Sequence, residues 1–193
     1  MANSAATWFC VDIECNGPVP AEYDMVSLGA VVVAPGPDGR LAVGERFYVE
    51  IKPQAPRCDP HAARIHGLDQ ARLAAEGTPR GEAMAQLATW VKAHTRPGTE
   101  AVFVGHNAPF DWSFVAYTFH VEGMSNPFGY KGLCTKALSM GVLGIHWLDT
   151  SKEVLSERLG LPVEDKSQKH RADYDAAYQA EILIGLLARM GIA

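Results

Sequence analysis

The chain has 193 residues, is 48% hydrophobic and 20% charged, and carries a formal net charge of −5 at neutral pH. It is long enough to bury one sizeable core, and residues 1–193 are expected to form a single domain. The acidic balance argues against a protein that grips long duplex nucleic acid through a broad basic surface, a mode that depends on neutralising many phosphates.

Four cysteines, Cys10, Cys15, Cys58 and Cys134, show neither a CxxC pair nor the dense spacing of a disulfide scaffold, and read as reduced thiols of a cytoplasmic protein. No basic segment leads into a signal-peptide core, and no apolar run approaches the roughly 20 residues that span a bilayer. A soluble, non-exported protein with no membrane partner is expected. Charge is unevenly spread, however. Residues 1–60 hold eight acids and four bases, whereas residues 131–171 hold five acids and seven bases, ending in Lys166-Ser167-Gln168-Lys169-His170-Arg171. That local excess suits either a phosphate chain or a solvated loop.

In chain order, Trp8 to Cys15 reads as an opening strand, apolar apart from Asp12 and Glu14. Cys15 to Asp24 is a Gly/Pro loop. Met25 to Ala34 is a β-branched run ending at Pro35-Gly36-Pro37-Asp38-Gly39, the turn of a hairpin into Arg40 to Ile51. From His61 to His94 the period becomes helical, with Ala83, Leu87, Ala88 and Val91 apolar and Thr78-Pro79 as a helix start. Ala101 to Val104 is a short buried strand ending at Gly105, followed by a helix from near Pro109 that carries Phe110, Phe114, Val115 and Phe119. Thr150-Ser151-Lys152-Glu153 is a capping-box pattern whose helix ends at Gly160. The last helix, from about Ala172 to Met190, sets Ala172, Ala176, Ala180, Leu183 and Leu187 on one stripe and stops at Gly191. Three leading strands joined by turns, then helices interleaved with further strand, describe an α/β domain with a mixed sheet.

Side chains alternate along a strand, so Asp12 and Glu14 share one face while Phe9, Val11 and Ile13 share the other. Burying two like charges side by side is costly, and a divalent cation offsets that cost. The pair therefore points to metal-dependent phosphodiester chemistry. Asp111 falls in the first turn of a helix at a strand's exit, where sites often form, although an acid there also complements the helix dipole. Asn107 reads most simply as an N-cap. His170 and Asp175 are five apart, which splays them by about 140° on a regular helix of roughly 3.6 residues per turn. They converge only if His170 lies in the loop before the first turn, and Glu164 to Lys169 has no apolar period that forbids this.

Asp12-Ile13-Glu14, His106-Asn107-Ala108-Pro109-Phe110-Asp111, and His170 with Asp175 and Ala172, Ala176 and Ala177, in this order, resemble the three motifs of the DEDDh 3′→5′ exonucleases. That family belongs to the ribonuclease-H-like superfamily and includes the group of ribonuclease T, oligoribonuclease and the DNA polymerase III epsilon exonuclease. The sister class wants a tyrosine four residues before the last acid. Arg171 stands there, so the chain sides with the histidine class. The resemblance implies a ribonuclease-H-like mixed sheet with three leading antiparallel strands flanked by helices.

It also implies catalytic residues Asp12, Glu14, Asp111, His170 and Asp175. The four acids would hold two divalent cations, Mg²⁺ or Mn²⁺, with Asp12 bridging and His170 as general base. The expected activity is release of nucleoside 5′-monophosphates from the 3′ ends of single-stranded or short RNA or DNA. Cys15, Asn16 and Gly17 follow the first motif where backbone groups approach the terminal sugar, and they depart from the Thr-Thr-Gly often found there. His66, in Ile65-His66-Gly67-Leu68, corresponds to a segment bordering the terminal nucleotide, though Gly67 ending a short helix explains it equally well. Asn107 and Phe110 are the remaining substrate candidates. Phe110, Trp112, Tyr130 and Trp147 are available for base stacking, with most expected in the core because bulky aromatics dominate interior packing. Dimerisation is implied by analogy alone. Two other readings stand beside this one: a non-catalytic nucleic-acid-binding module of the same fold, and a hydrolase of a small phosphoester.

Overall fold

In the computed structural model, which describes residues 6–55, 57–165 and 167–192, the core is organised around β1 (Ala6–Cys15). Its side chains alternate as the sequence demands. Phe9, Val11 and Ile13 enter one apolar cluster, and Cys10 enters another on the opposite face. β2 (Met25–Pro35) pairs antiparallel with β1, and β3 (Leu41–Glu50) pairs antiparallel with β2. β4 (Glu100–Gly105) and β5 (Gly132–Cys134) extend the other side in parallel, giving the order β3-β2-β1-β4-β5. This is the mixed sheet that the resemblance implies, with three leading antiparallel strands.

The helices are α1 (Pro60–His66), α2 (Gln70–Glu76), α3 (Arg80–His94), α4 (Pro109–Val121), α5 (Thr135–Leu143), α6 (Lys152–Leu159) and α7 (Ala172–Arg189), with a 3₁₀ turn at Trp147–Asp149. α3 and α4 cover the Phe9 face through Met84, Leu87, Val91, Phe114, Val115 and Phe119. α7 covers the other face, setting Ala176, Ala180, Leu183 and Leu187 against Cys10, Val31, Val33 and Val104. Leu183 and Leu187 each contribute roughly 1.5–3 kcal/mol of burial, and the alanines let the helix approach closely. Gly29 permits that approach at the N-terminal end, because a Cβ there would collide with the backbone of Ala172 and Asp173. α5 and α6 complete the layer by packing on Ile182 and Leu186 of α7.

The stretch from His61 to His94 holds three helices, and α3 begins just after the expected start at Thr78-Pro79, with Pro79 at its N-cap. Asp59 and Asp69 cap α1 and α2 with their carboxylates, and Gly67 closes α1 in the left-handed region at φ 66°. The cap of α6 is Ser151, whose hydroxyl accepts from the Val154 N–H, so the expected capping box at Thr150 shifts by one residue. The Thr150 hydroxyl instead donates to the Trp147 carbonyl. Among the described residues no helix is long and apolar enough to cross a membrane.

Candidate active site

Asp12 and Glu14 project from the face of β1 that α7 covers, just beyond the apolar contact of Cys10 with that helix. β4 stops pairing with β1 at Cys10 and Val104, so the next stretch of β1 has an unpaired edge. The Asp111 carboxylate meets it, Oδ1 accepting from the Ile13 N–H at 3.2 Å. A strand that outruns its neighbour thus draws the first turn of α4 to the site. α7 supplies Asp175. Carboxylate oxygens of Asp12, Glu14 and Asp175 lie within 4.8 Å of one another.

His170 sits in the loop before α7, as convergence with Asp175 requires. Its backbone is left-handed at φ 65°, and its N–H donates to Asp175 Oδ2 at 2.8 Å. The turn therefore folds back on the helix's own acid. Its imidazole is exposed at the rim. Asp12, Glu14, Asp111, His170 and Asp175 all line one cleft of about 410 Å³, together with Asn107, Phe110 and three lysines, Lys136, Lys152 and Lys169.

The electrostatics of this cleft are those of crowded acids. Burial, reinforced by Asp175 and Asp111, pushes the Glu14 carboxyl up to about 8. Burial pushes Asp111 up to about 7 even though its own N–H and that of Ile13 favour the ionised form. Asp12 is raised well above the carboxylate range by burial and then by Asp111, with Lys152 opposing. An arrangement of hard oxygens whose ionisation is suppressed by burial and then by mutual repulsion fits a divalent cation of the Mg²⁺ or Mn²⁺ type. Burial, partly offset by the Gly17 N–H, pushes the Cys15 thiol up to about 12, so it stays protonated beside the acids.

A second cleft of about 330 Å³ shares Ile13, Glu14 and Phe110 with the first and is otherwise lined by residues including Cys15, Gly17, Pro18, Ala62 and Ile65. Of the substrate candidates, Cys15, Gly17, Asn107 and Phe110 therefore border a cleft, but Asn16 and His66 do not. Asn16 is buried in a reciprocal amide pair with Gln70, both bonds 2.9 Å, and its backbone bonds Asp24 and Asp59. The buried His66 accepts from the Leu68 N–H at Nδ1, holding the turn at Gly67, while its Nε2 has no partner. Both hold loop segments together rather than lining either cleft. Asn107 is not the N-cap of α4. Ala108 occupies that position, and Asn107 is left-handed at φ 73°, its carbonyl accepting from the Phe110 N–H.

The aromatic expectation is corrected too. Trp112 packs edge-on against Phe103, but Phe110, Tyr130 and Trp147 are 36%, 84% and 36% exposed. Phe110 is in the outward first turn of α4, and Tyr130 lies in the loop before β5. Within the basic run, Lys166 lies outside the described residues, Lys169 lines the main cleft and Arg171 pairs with Asp173. Two residues were not anticipated. Gln179, buried one turn beyond Asp175, donates to Asp12, and Lys152 sets its ammonium against Asp175. Gln179 was discoverable from its i, i+4 spacing to Asp175, whereas nothing in the sequence ties Lys152 to an acid 23 residues away.

The exonuclease family model of the ribonuclease T type matches residues 9–183. The chain belongs to this exonuclease family. Over 172 residues it is 35% identical to the 3′-5′ DNA exonuclease Cap18 of Escherichia coli, covering 89% of this chain and 87% of that protein. Ribonuclease T of Marinobacter nauticus is 27% identical over 184 residues, covering 93% and 81%. The nuclease domain of 3′hExo, a DEDDh family member solved with bound rAMP, has a TM-score of 0.77 at 12% identity, covering 94% of this chain and 92% of that one, a likeness of fold. The protein is an exonuclease of the DEDDh type, with a 3′-5′ exonuclease among its relatives.

Proposed function

We propose that this exonuclease releases nucleoside 5′-monophosphates from the 3′ ends of single-stranded or short DNA or RNA by metal-dependent hydrolysis. The observation that carries the reading is the convergence of Asp12, Glu14, Asp111, His170 and Asp175 on one cleft that shares Phe110 with a more apolar neighbour. The second cleft suits a terminal base, the first its phosphate.

Asp12, Glu14 and Asp175 would hold one divalent cation, Mg²⁺ or Mn²⁺, and Asp111 with the shared Asp12 a second. Such ions, when bound, activate a water and neutralise charge on the non-bridging and leaving oxygens. His170 would take the proton of the attacking water on its imidazole, which is exposed and therefore free to pass the proton to solvent. Phe110 stacks the terminal base, an interaction worth roughly 1–3 kcal/mol that is tolerant of sequence. Cys15 and Gly17 border the sugar, and Asn107 the phosphate.

The name of the 35% identical relative supports DNA as the first substrate to test, and the ribonuclease T likeness supports RNA as the second. Four free cysteines fit a reducing compartment such as the cytoplasm. A single domain over residues 1–193 and a homodimer belong to the same reading. The test of the chemistry is product identity. Oligonucleotides labelled in the terminal linkage should yield labelled nucleoside 5′-monophosphate with Mg²⁺ or Mn²⁺ and none with chelator. Release of 3′-monophosphates or of short oligonucleotides would contradict the reading.

A further inference from the structure

Lys152 opens α6, where a cation opposes the helix dipole, and its side chain is only 14% exposed. Neither circumstance favours a lysine unless acids compensate it. They do: Nζ lies 2.5 Å from Asp175 Oδ1 and 3.7 Å from Glu164 Oε1. Glu164 is itself buried, belongs to the segment joining α6 to α7, and does not line the main cleft; its Oε1 has no hydrogen-bond partner. The ammonium thus donates to one carboxylate, a metal-ligand candidate, and is ion-paired with a second, an acid behind it.

We propose that Lys152 is a resident counter-cation of the metal site, which holds Asp175 in the metal-free protein and withdraws to Glu164 when a divalent ion takes that carboxylate. The inference rests on the reading of Asp12, Glu14 and Asp175 as metal ligands. An ammonium and a divalent ion compete for the same oxygen, so Lys152 weakens metal binding while it relieves repulsion among the acids in the ion's absence. Glu164 has the opposite effect on binding, since it offers the displaced ammonium another partner.

Calorimetric titration of Mn²⁺ into the full chain, with thermal unfolding in chelator and in Mn²⁺, tests this without reference to turnover. Lys152→Met should bind Mn²⁺ about tenfold more tightly, the scale of one partly screened unit charge a few ångströms from the ion. Its Tm should fall in chelator and its rise on adding metal should exceed that of the wild type. Glu164→Gln, an independent variant, should bind Mn²⁺ more weakly. Unchanged or weaker binding by Lys152→Met overturns the inference, as does unchanged binding by Glu164→Gln if Lys152→Met does not fold. If the wild type itself binds no Mn²⁺, or Asp12→Ala binds as well as it does, the metal-site reading underneath fails instead.

Discussion

Gln179 Nε2 donates to Asp12 Oδ1 at 2.5 Å, joining the last helix to the first strand across 167 positions of sequence. Its Oε1 accepts from the His106 N–H at 3.1 Å, so both ends of the amide are committed and its orientation is fixed. Gln179 is a positioning residue for the acid proposed to be shared between metals. Gln179→Leu leaves the His106 N–H without this acceptor in a half-buried setting, which costs about 1–3 kcal/mol by chemical unfolding. Support of this kind for a ligand typically changes metal affinity or activity about 10–100-fold, so kcat should fall on that scale while KM for the oligonucleotide changes little. A loss confined to stability would show that the tether serves only the fold.

His170→Asn separates the imidazole from the turn that carries it. Asparagine tolerates the left-handed backbone at φ 65°, and the N–H bond to Asp175 is made by the main chain, so the carboxylate keeps its place. Loss of a general base lowers turnover by roughly 10²–10⁴-fold, and metal affinity should be unchanged. Asp175→Asn should lose both. Parallel titrations of Mn²⁺ into the two variants decide the matter, since equal metal loss would make His170 a ligand rather than a base.

Gly29 faces Asp12 in the β1–β2 register and lies beneath the start of α7. Gly29→Ala inserts a methyl group where the backbone of Ala172 and Asp173 runs, and backbone cannot step aside as a flexible side chain does. Overpacking of this sort costs about 1–3 kcal/mol, and it should displace Asp175 with the helix. The variant should lose stability and metal affinity together. Wild-type Mn²⁺ binding by a destabilised Gly29→Ala protein would contradict the link between helix seating and site.

Acidity gives a fourth expectation, for the protein in chelator. Burial, then Asp175 and Asp111, raise Glu14 from 4.5 to about 8, and burial raises Asp111 from 3.8 to about 7. The folded state therefore keeps protons that the unfolded chain has released. Stability from these groups is complete below their unfolded values and is lost as pH rises through about 7 to 8. Tm in chelator should fall across that window, and Glu14→Gln, which cannot ionise, should fall less. Divalent metal should reverse the trend, because it binds the ionised carboxylates. Identical slopes for wild type and Glu14→Gln would count against this.

Much of the fold was legible because its long elements are strongly patterned. The alternation in β1 separated Phe9, Val11 and Ile13 from Asp12 and Glu14, and the small-residue stripe of α7 identified the face that seats on the sheet. The third motif was legible as a condition, that His170 must precede the helix, and the left-handed turn meets it. What stayed hidden was short or tertiary. β5 has three residues and exists because it pairs with Phe103 to Gly105, a contact invisible to local pattern. Asn16 followed the first motif and looked available to substrate, but Gln70, 54 positions away, holds its amide. Lys152 read as part of a helix start, and only the meeting of α6 with α7 brings it to Asp175.

The most direct measurement is digestion of 5′-labelled single-stranded DNA and RNA of matched sequence with Mg²⁺ or Mn²⁺, beside an Asp12→Ala control. The account predicts a metal-dependent ladder that shortens from the 3′ end and is absent in the control and in chelator. Intact substrate with both metals, or a ladder of equal rate from Asp12→Ala, would contradict it.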